Sequence, residues 1–193
     1  VAIHTQGDRA ISETLDAFEK SGIPKNSRHR LEHCLLPSKK DIQRMAKLGV
    51  SPSFHINHLW YYGEALEDHI IGRERTDKIL PLKAAENNSL IFSLHADQPM
   101  FESDPLSLLH TAVNRKTRDG KIVGKFNKIS VEQGLKSLTI NAAWQIKMEN
   151  KIGSIKPGKY ADFVIIDQNP MIVAPEKIKD IHVLQTIVNG NII

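Results

Sequence analysis

Three times the chain runs along a short apolar segment, ends it on or beside a histidine, and turns. Val1-Ala2-Ile3 leads to His4 and then Thr5-Gln6-Gly7-Asp8. Arg30-Leu31-Glu32 leads to His33 and Cys34, closed off by Pro37. Leu90 to Leu94 leads to His95-Ala96-Asp97. Between these runs lie helical patterns, so the order reads β-α-β-α-β-α-β, the signature of right-handed crossovers and a parallel sheet. In a parallel α/β barrel the C-terminal strand ends ring the active site, so strands ending in His, His and Asp point to one metal centre.

The local signals support this order. Asp8 is a candidate N-cap for a helix over about 9–20, with Ile11, Leu15 and Phe18 on one face and Gly22 and Pro24 ending it. Ser38 with Asp41 predicts a capped helix that stops at Gly49, and Val50 to Phe54 reads as a strand ending at His55. Residues 55–80 read as a long mixed connection, rich in Trp60, Tyr61 and Tyr62, of the kind that serves as a lid or binding loop. Pro81 opens a helix to about Asn87 that leads to a strand over 90–94. Asp104-Pro105 opens another through Asn114, and Ser130 with Gln133 caps a third. Beyond Gly153-Ser154-Ile155-Lys156-Pro157-Gly158 the period changes to two, and Asn189-Gly190 is a type I′ hairpin signal. A boundary near 150 follows, giving 1–150 and 151–193.

Forty per cent apolar and 25% charged residues are those of a packed domain, and no apolar run approaches the roughly 18 residues a membrane span needs. The net charge of +4 is mild and gathers in Arg115 to Lys128, which reads as a solvated surface loop, so neither nucleic acid nor membrane is an expected partner. One cysteine excludes an intrachain disulfide and any dependence on an oxidising compartment. A cytoplasmic setting is the expectation on that ground, with targeting left open because the first residue already lies in a strand.

Zinc-type hydrolase centres use His nitrogens and a carboxylate, with a position left for water whose pKa falls to about 7. His4, His33 and Asp97 match that need in residue type. The plainer alternative makes the histidines hydrogen-bonded strand ends and Asp97 a turn residue before Pro99. His95, two residues from Asp97, is a candidate partner or substrate contact. His55 and His58 in the aromatic segment are candidates to line a pocket, although loop packing explains them as simply. Glu32 should pair with a neighbour such as Arg30, and Cys34 reads as a small buried hydrophobe. No glycine-rich phosphate loop or Ser-His-Asp elbow is present.

His4-Thr5-Gln6-Gly7-Asp8-Arg9-Ala10, Arg30 to Cys34, Ser93 to Pro99 and Gly153 to Phe163 together resemble the amidohydrolase superfamily. The nearest branch is similar to YtcJ and the N-substituted formamide deformylases. The resemblance implies the C-terminal half of a (β/α)8 barrel plus part of a small β-domain, with His4 ending strand five, His33 strand six and Asp97 strand eight. It implies His4 and His33 as metal ligands and Asp97 as general base and ligand. It further implies one or two divalent ions, zinc first, and hydrolysis of C–N bonds in a small amide-like or formamide-like substrate contacted by His58, Trp60 and His95. It leaves the strand-one His-x-His pair and the strand-four ligand outside this chain. Metal should then be weakly held here, and the open sheet edge should pair with the missing N-terminal half or with another copy. A non-catalytic binding or regulatory fragment of the same fold is the competing expectation.

Overall fold

A computed structural model describes all 193 residues. Its first layer is a four-stranded parallel sheet in the order β1 (Ala2–Thr5), β2 (Arg30–His33), β3 (Ser51–His55), β4 (Ser93–His95). The crossovers carry α1 (Asp8–Ser21), α2 (Lys39–Leu48), α3 (Asn57–Ala65), α4 (Gly72–Thr76) and α5 (Leu82–Asn87). After β4 come α6 (Pro105–Asn114), α7 (Val131–Leu138) and α8 (Ile140–Gln145). A separate antiparallel sheet follows, made of β5 (Phe163–Ile166), β6 (Val183–Val188) and β7 (Asn191–Ile192).

The two faces of the parallel sheet differ in chemistry, because strand side chains alternate. One face presents Leu31 and Phe54 to Ile11, Leu15, Ile42 and Met45 of the helices, within one cluster of 25 buried apolar residues. The other face carries Arg30 and Glu32 of β2, Ser51, Ser53 and His55 of β3, and Ser93 and His95 of β4, aligned by the register Glu32–Ser53–Ser93 and His55–His95. Arg30 Nε donates to Glu32 Oε1 at 2.5 Å, the pairing that the sequence suggests.

Several local expectations hold. Ser38 accepts from Asp41 N in a reciprocal capping box, and Gly49 ends α2 at φ 69°. Asp104 accepts from Leu106 and Ser107 amides at the start of α6. Asn189 and Gly190 both take positive φ in the β6–β7 turn, as a type I′ turn demands.

Others are corrected. Gly7, not Asp8, precedes the first turn of α1, and Asp8 is its first helical residue. The strand before His95 is Ser93–His95 alone rather than 90–94. Residues 57–76 are not a loop but α3, a π-helical turn at Leu66–Ile70, and α4. Their start carries no side-chain cap, since Ile56 fills that position, so the usual signal is missing. Tertiary packing supplies what the cap does not: Leu59 and Leu66 are buried, and Gly63 lets α3 approach Thr117, where a Cβ would meet a methyl at 2.7 Å. The basic segment is also not uniformly solvated. Arg115 is fully buried and donates to the carbonyls of Ile79, Leu80 and Val123.

The short helix α8 is pinned from a distance. Arg28 donates to the Trp144 carbonyl at 2.9 Å, pairs with Glu149 at 2.7 Å, and lies over the Trp144 ring at 4.5 Å from its centre. Gln145, the last residue of α8, thereby reaches the polar face of the sheet. No helix is long and apolar enough to cross a membrane.

Candidate metal centre

Three of the four parallel strands end in histidine, His33 in β2, His55 in β3 and His95 in β4, and His4 is the last residue but one of β1. Alternation alone would align His33 with Phe54 and Leu94, its row on the helix-facing side. Instead His33 and Cys34 adopt left-handed φ of 67° and 45°, conformations that non-glycine residues rarely take. The His33 ring accordingly sits among the other imidazoles. Its centre lies 4.6 Å from that of His4, 5.2 Å from His95 and 5.6 Å from His55. The rings of His55 and His95 stack at 5.1 Å. One nitrogen each from His33, His55 and His95 falls within a 4.8 Å group, and His33 Nδ1 stands 3.2 Å from His95 Nε2.

Burial favours the neutral form of His33, His55 and His95. His55, which is 0% exposed, is pushed down to about 3 by burial and then by His58, His95 and His33. His95 is pushed down to about 4, again chiefly by burial, with Asp97 opposing. His33 moves the same way for the same reason, and the Asp97 carboxylate and Glu32 oppose it. Neutral imidazoles expose lone pairs, the form in which histidine binds metals. His55 adds the sharper observation, since both its ring nitrogens are buried and neither makes a well-aligned hydrogen bond, the Ala96 backbone alone lying near enough to interact. A buried polar atom without a partner costs about 1–3 kcal/mol, so such atoms are rare outside ligand sites. The donor set therefore fits a divalent cation of the nitrogen-preferring kind.

The sequence candidates fall into three groups. His4, His33, His95 and Asp97 line one open cleft of about 1280 Å³, with His4 and Asp97 exposed on it and Asp97 held at φ 60°. His58 is close to His33 and His55 but spends both nitrogens on the protein. Its Nδ1 donates to the His55 carbonyl, and its Nε2 accepts from the Gln6 amide, each at 3.2 Å. Trp60 is not brought to the cluster. It packs against His110 at 5.7 Å, with the Lys179 ammonium over its ring. The aromatic groups near the histidines are Tyr61 and Tyr62 of α3 and Phe101, which follows β4. Phe101 stacks on Tyr61 at 4.6 Å and lies 5.3 Å from His55. Sequence reading passes over Phe101 altogether.

A model of an amidohydrolase family matches residues 1–193. The chain is 29% identical over 192 residues to an N-substituted formamide deformylase of Arthrobacter pascens, covering 98% of this chain and 35% of that protein. It is 27% identical over 201 residues to YtcJ of Bacillus subtilis strain 168, covering 100% of this chain and 37% of that one. Among solved structures, an uncharacterized metal-dependent hydrolase from Pyrococcus horikoshii OT3 superposes with a TM-score of 0.78 at 28% identity, over 91% of this chain and 35% of that chain. The chain spans about a third of the length of the curated relatives it matches.

Proposed function

The chain belongs to the amidohydrolase family, and from that premise we propose that it forms part of a metal-dependent hydrolase of C–N bonds, of amide or formamide type. The observation that carries this reading is the convergence of His33, His55 and His95, whose burial favours the neutral, metal-binding form, with the His4 ring packed against His33. The relative from Arthrobacter pascens, an N-substituted formamide deformylase by name, supports the bond class.

The residues divide the work as follows. His4 and His33 would hold a divalent cation, zinc by preference, with Asp97 beside them and the buried nitrogens of His55 within reach. Zinc in such a setting supplies Lewis-acid chemistry, polarising a carbonyl and lowering the pKa of water. Asp97, exposed on the cleft, accepts the proton of the attacking water and returns it to the leaving nitrogen. His55 and His95 close the buried side. Tyr61 and Phe101 offer an apolar shelf next to His55, suited to the N-substituent of a small amide. Further strands are needed to close the cleft, because four strands leave it open to water and weaken every charge within it. The exposed apolar side chains Val164, Leu184 and Ile192 on the small sheet, at 56%, 61% and 67%, support association with another segment or another copy.

The test has two arms. Zinc titrated into the purified chain should bind weakly, and His33→Ala should lose most of that affinity. With the chain carried in the complete product of its gene, N-substituted formamides and simple amides should turn over in preference to matched esters. Turnover confined to esters or phosphoesters would sink the C–N reading, and zinc binding unchanged in His33→Ala would sink the metal site.

A further inference from the structure

A ladder of short polar contacts descends from the histidine cluster along the sheet's polar face to α8. His33 Nδ1 and His95 Nε2 are 3.2 Å apart, and His95 Nδ1 and Ser53 Oγ 2.8 Å. Ser53 Oγ and Ser93 Oγ are 3.0 Å apart, and Ser93 Oγ lies 2.6 Å from Gln145 Oε1. The orientation of the Gln145 amide is fixed by its other end. Its nitrogen lies 2.9 Å from the Pro52 carbonyl, which can only accept, and 3.1 Å from Ser51 Oγ. Gln145 Oε1 therefore faces Ser93 as a pure acceptor.

Proton counting then settles the direction of the whole ladder. Ser93 has one hydroxyl proton, and the contact with Gln145 takes it. The Ser53–Ser93 contact must be donated by Ser53, which uses the only proton Ser53 has. The His95–Ser53 contact must in turn be donated by His95 Nδ1–H. A neutral imidazole has one N–H, so His95 Nε2 accepts, and His33 Nδ1–H is its donor. His33 Nε2 is left with its lone pair.

We infer that Gln145 is a positioning residue that sets the tautomers of His95 and His33 through Ser93 and Ser53, presenting His33 Nε2 as the metal-binding nitrogen. The tautomer statement stands on the hydrogen-bond ladder alone, and its consequence for metal rests on the proposed function. Ligating histidines are commonly oriented by a partner on their other nitrogen, and loss of that partner typically costs 10–100-fold in affinity. Here the partner is a third-removed amide on a helix whose side chain touches neither the ligands nor the substrate shelf. With the acceptor at position 145 removed, the ladder reverses: Ser93 donates to Ser53, Ser53 to His95 Nδ1, and His95 Nε2–H to His33 Nδ1. His33 Nε2 would then carry the proton and bind metal poorly.

The experiment is long-range proton–nitrogen correlation NMR on the metal-free chain labelled with ¹⁵N-histidine, at pH 8 where these rings are neutral. The expected result is Nδ1–H for both His95 and His33. Gln145→Met and Ser53→Ala should each abolish that preference, and Gln145→Glu should retain it because a carboxylate still accepts from Ser93. A merely structural role for Gln145 would lower the melting temperature of Gln145→Met without moving either tautomer. His95 found as Nε2–H in the parent chain, or tautomers unchanged in both Gln145→Met and Ser53→Ala, would overturn the inference. Zinc affinity should fall about 10-fold or more in Gln145→Met. Tautomers that shift while zinc affinity holds would uphold the ladder and count against the metal reading instead.

Discussion

His55 makes the metal-free chain acid-sensitive in a way that a single substitution isolates. Its imidazole is fully buried and its pKa is pushed down to about 3, against an unperturbed 6.5. Above 6.5 the ring is neutral in both folded and unfolded chains and contributes no pH dependence. Below 6.5 the unfolded chain binds a proton that the folded chain refuses, so stability falls with pH until the folded ring titrates near 3. At pH 5 the unfolded ring lies about 1.5 units below its pKa, and the loss relative to pH 8 is about 2 kcal/mol. His55→Leu removes this proton site together with two buried nitrogens that make no well-aligned hydrogen bond. The variant should be more stable than the parent by about 1–3 kcal/mol at pH 8, and its loss on going to pH 5 should be smaller by about 2 kcal/mol. Urea unfolding in EDTA, followed by circular dichroism at pH 8 and pH 5, measures both. With an m-value of about 2 kcal/mol/M the second effect is about 1 M in midpoint. His95 shares the acid sensitivity and stacks on His55, so the double difference reads His55 together with its coupling to the neighbouring imidazoles. Equal pH dependence in the two chains, or a variant less stable at pH 8, would refute the reasoning.

Arg115→Met should cost about 3 kcal/mol or more, because three buried carbonyls lose a charged donor at once, and Arg115→Lys should recover part of it; chemical denaturation reads both. Gly49→Ala should cost about 3 kcal/mol in the same assay, since φ is 69° and a Cβ would meet the Lys25 carbonyl oxygen at 2.2 Å. Asp104→Ala should cost about 1 kcal/mol, seen as a drop of about 2–4 °C in thermal melting, through loss of its two amide acceptor bonds at the start of α6.

The parallel order was legible because each βα unit carries its own local signals. Period-two runs, Ser38 with Asp41, Asp104-Pro105 and glycine stops all act over a few residues, and they are read from the chain directly. The helices over 57–76 were not, because their start has no capping side chain and their stability comes from Leu59, Leu66 and Gly63 packing on segments distant in sequence. Arg115 misled for a related reason: a charged residue in a basic run looks solvated until three carbonyls from elsewhere close on it. In the site, His4, His33 and His95 stood out as strand ends. His55 met the same criterion as the last residue of β3, and the repetition of histidine at or next to the end of all four strands was the signal that would have promoted it. Phe101 and Gln145 carry no such signal. Their places depend on how the segment after β4 and the helix α8 fold back onto the sheet.

That folding back has a kinetic corollary. A helix of six residues such as α8 is far below the roughly 12–15 residues at which an isolated helix becomes even marginal in water, so its order is borrowed. The lenders are Arg28, through Trp144 and Glu149, and the serine row, through Gln145. Release of either should loosen the other, because both act on the same six-residue helix. The amides of α8 should therefore exchange with deuterium as one opening unit together with those of β4, at a common free energy below that of global unfolding, rather than fraying residue by residue from the helix ends.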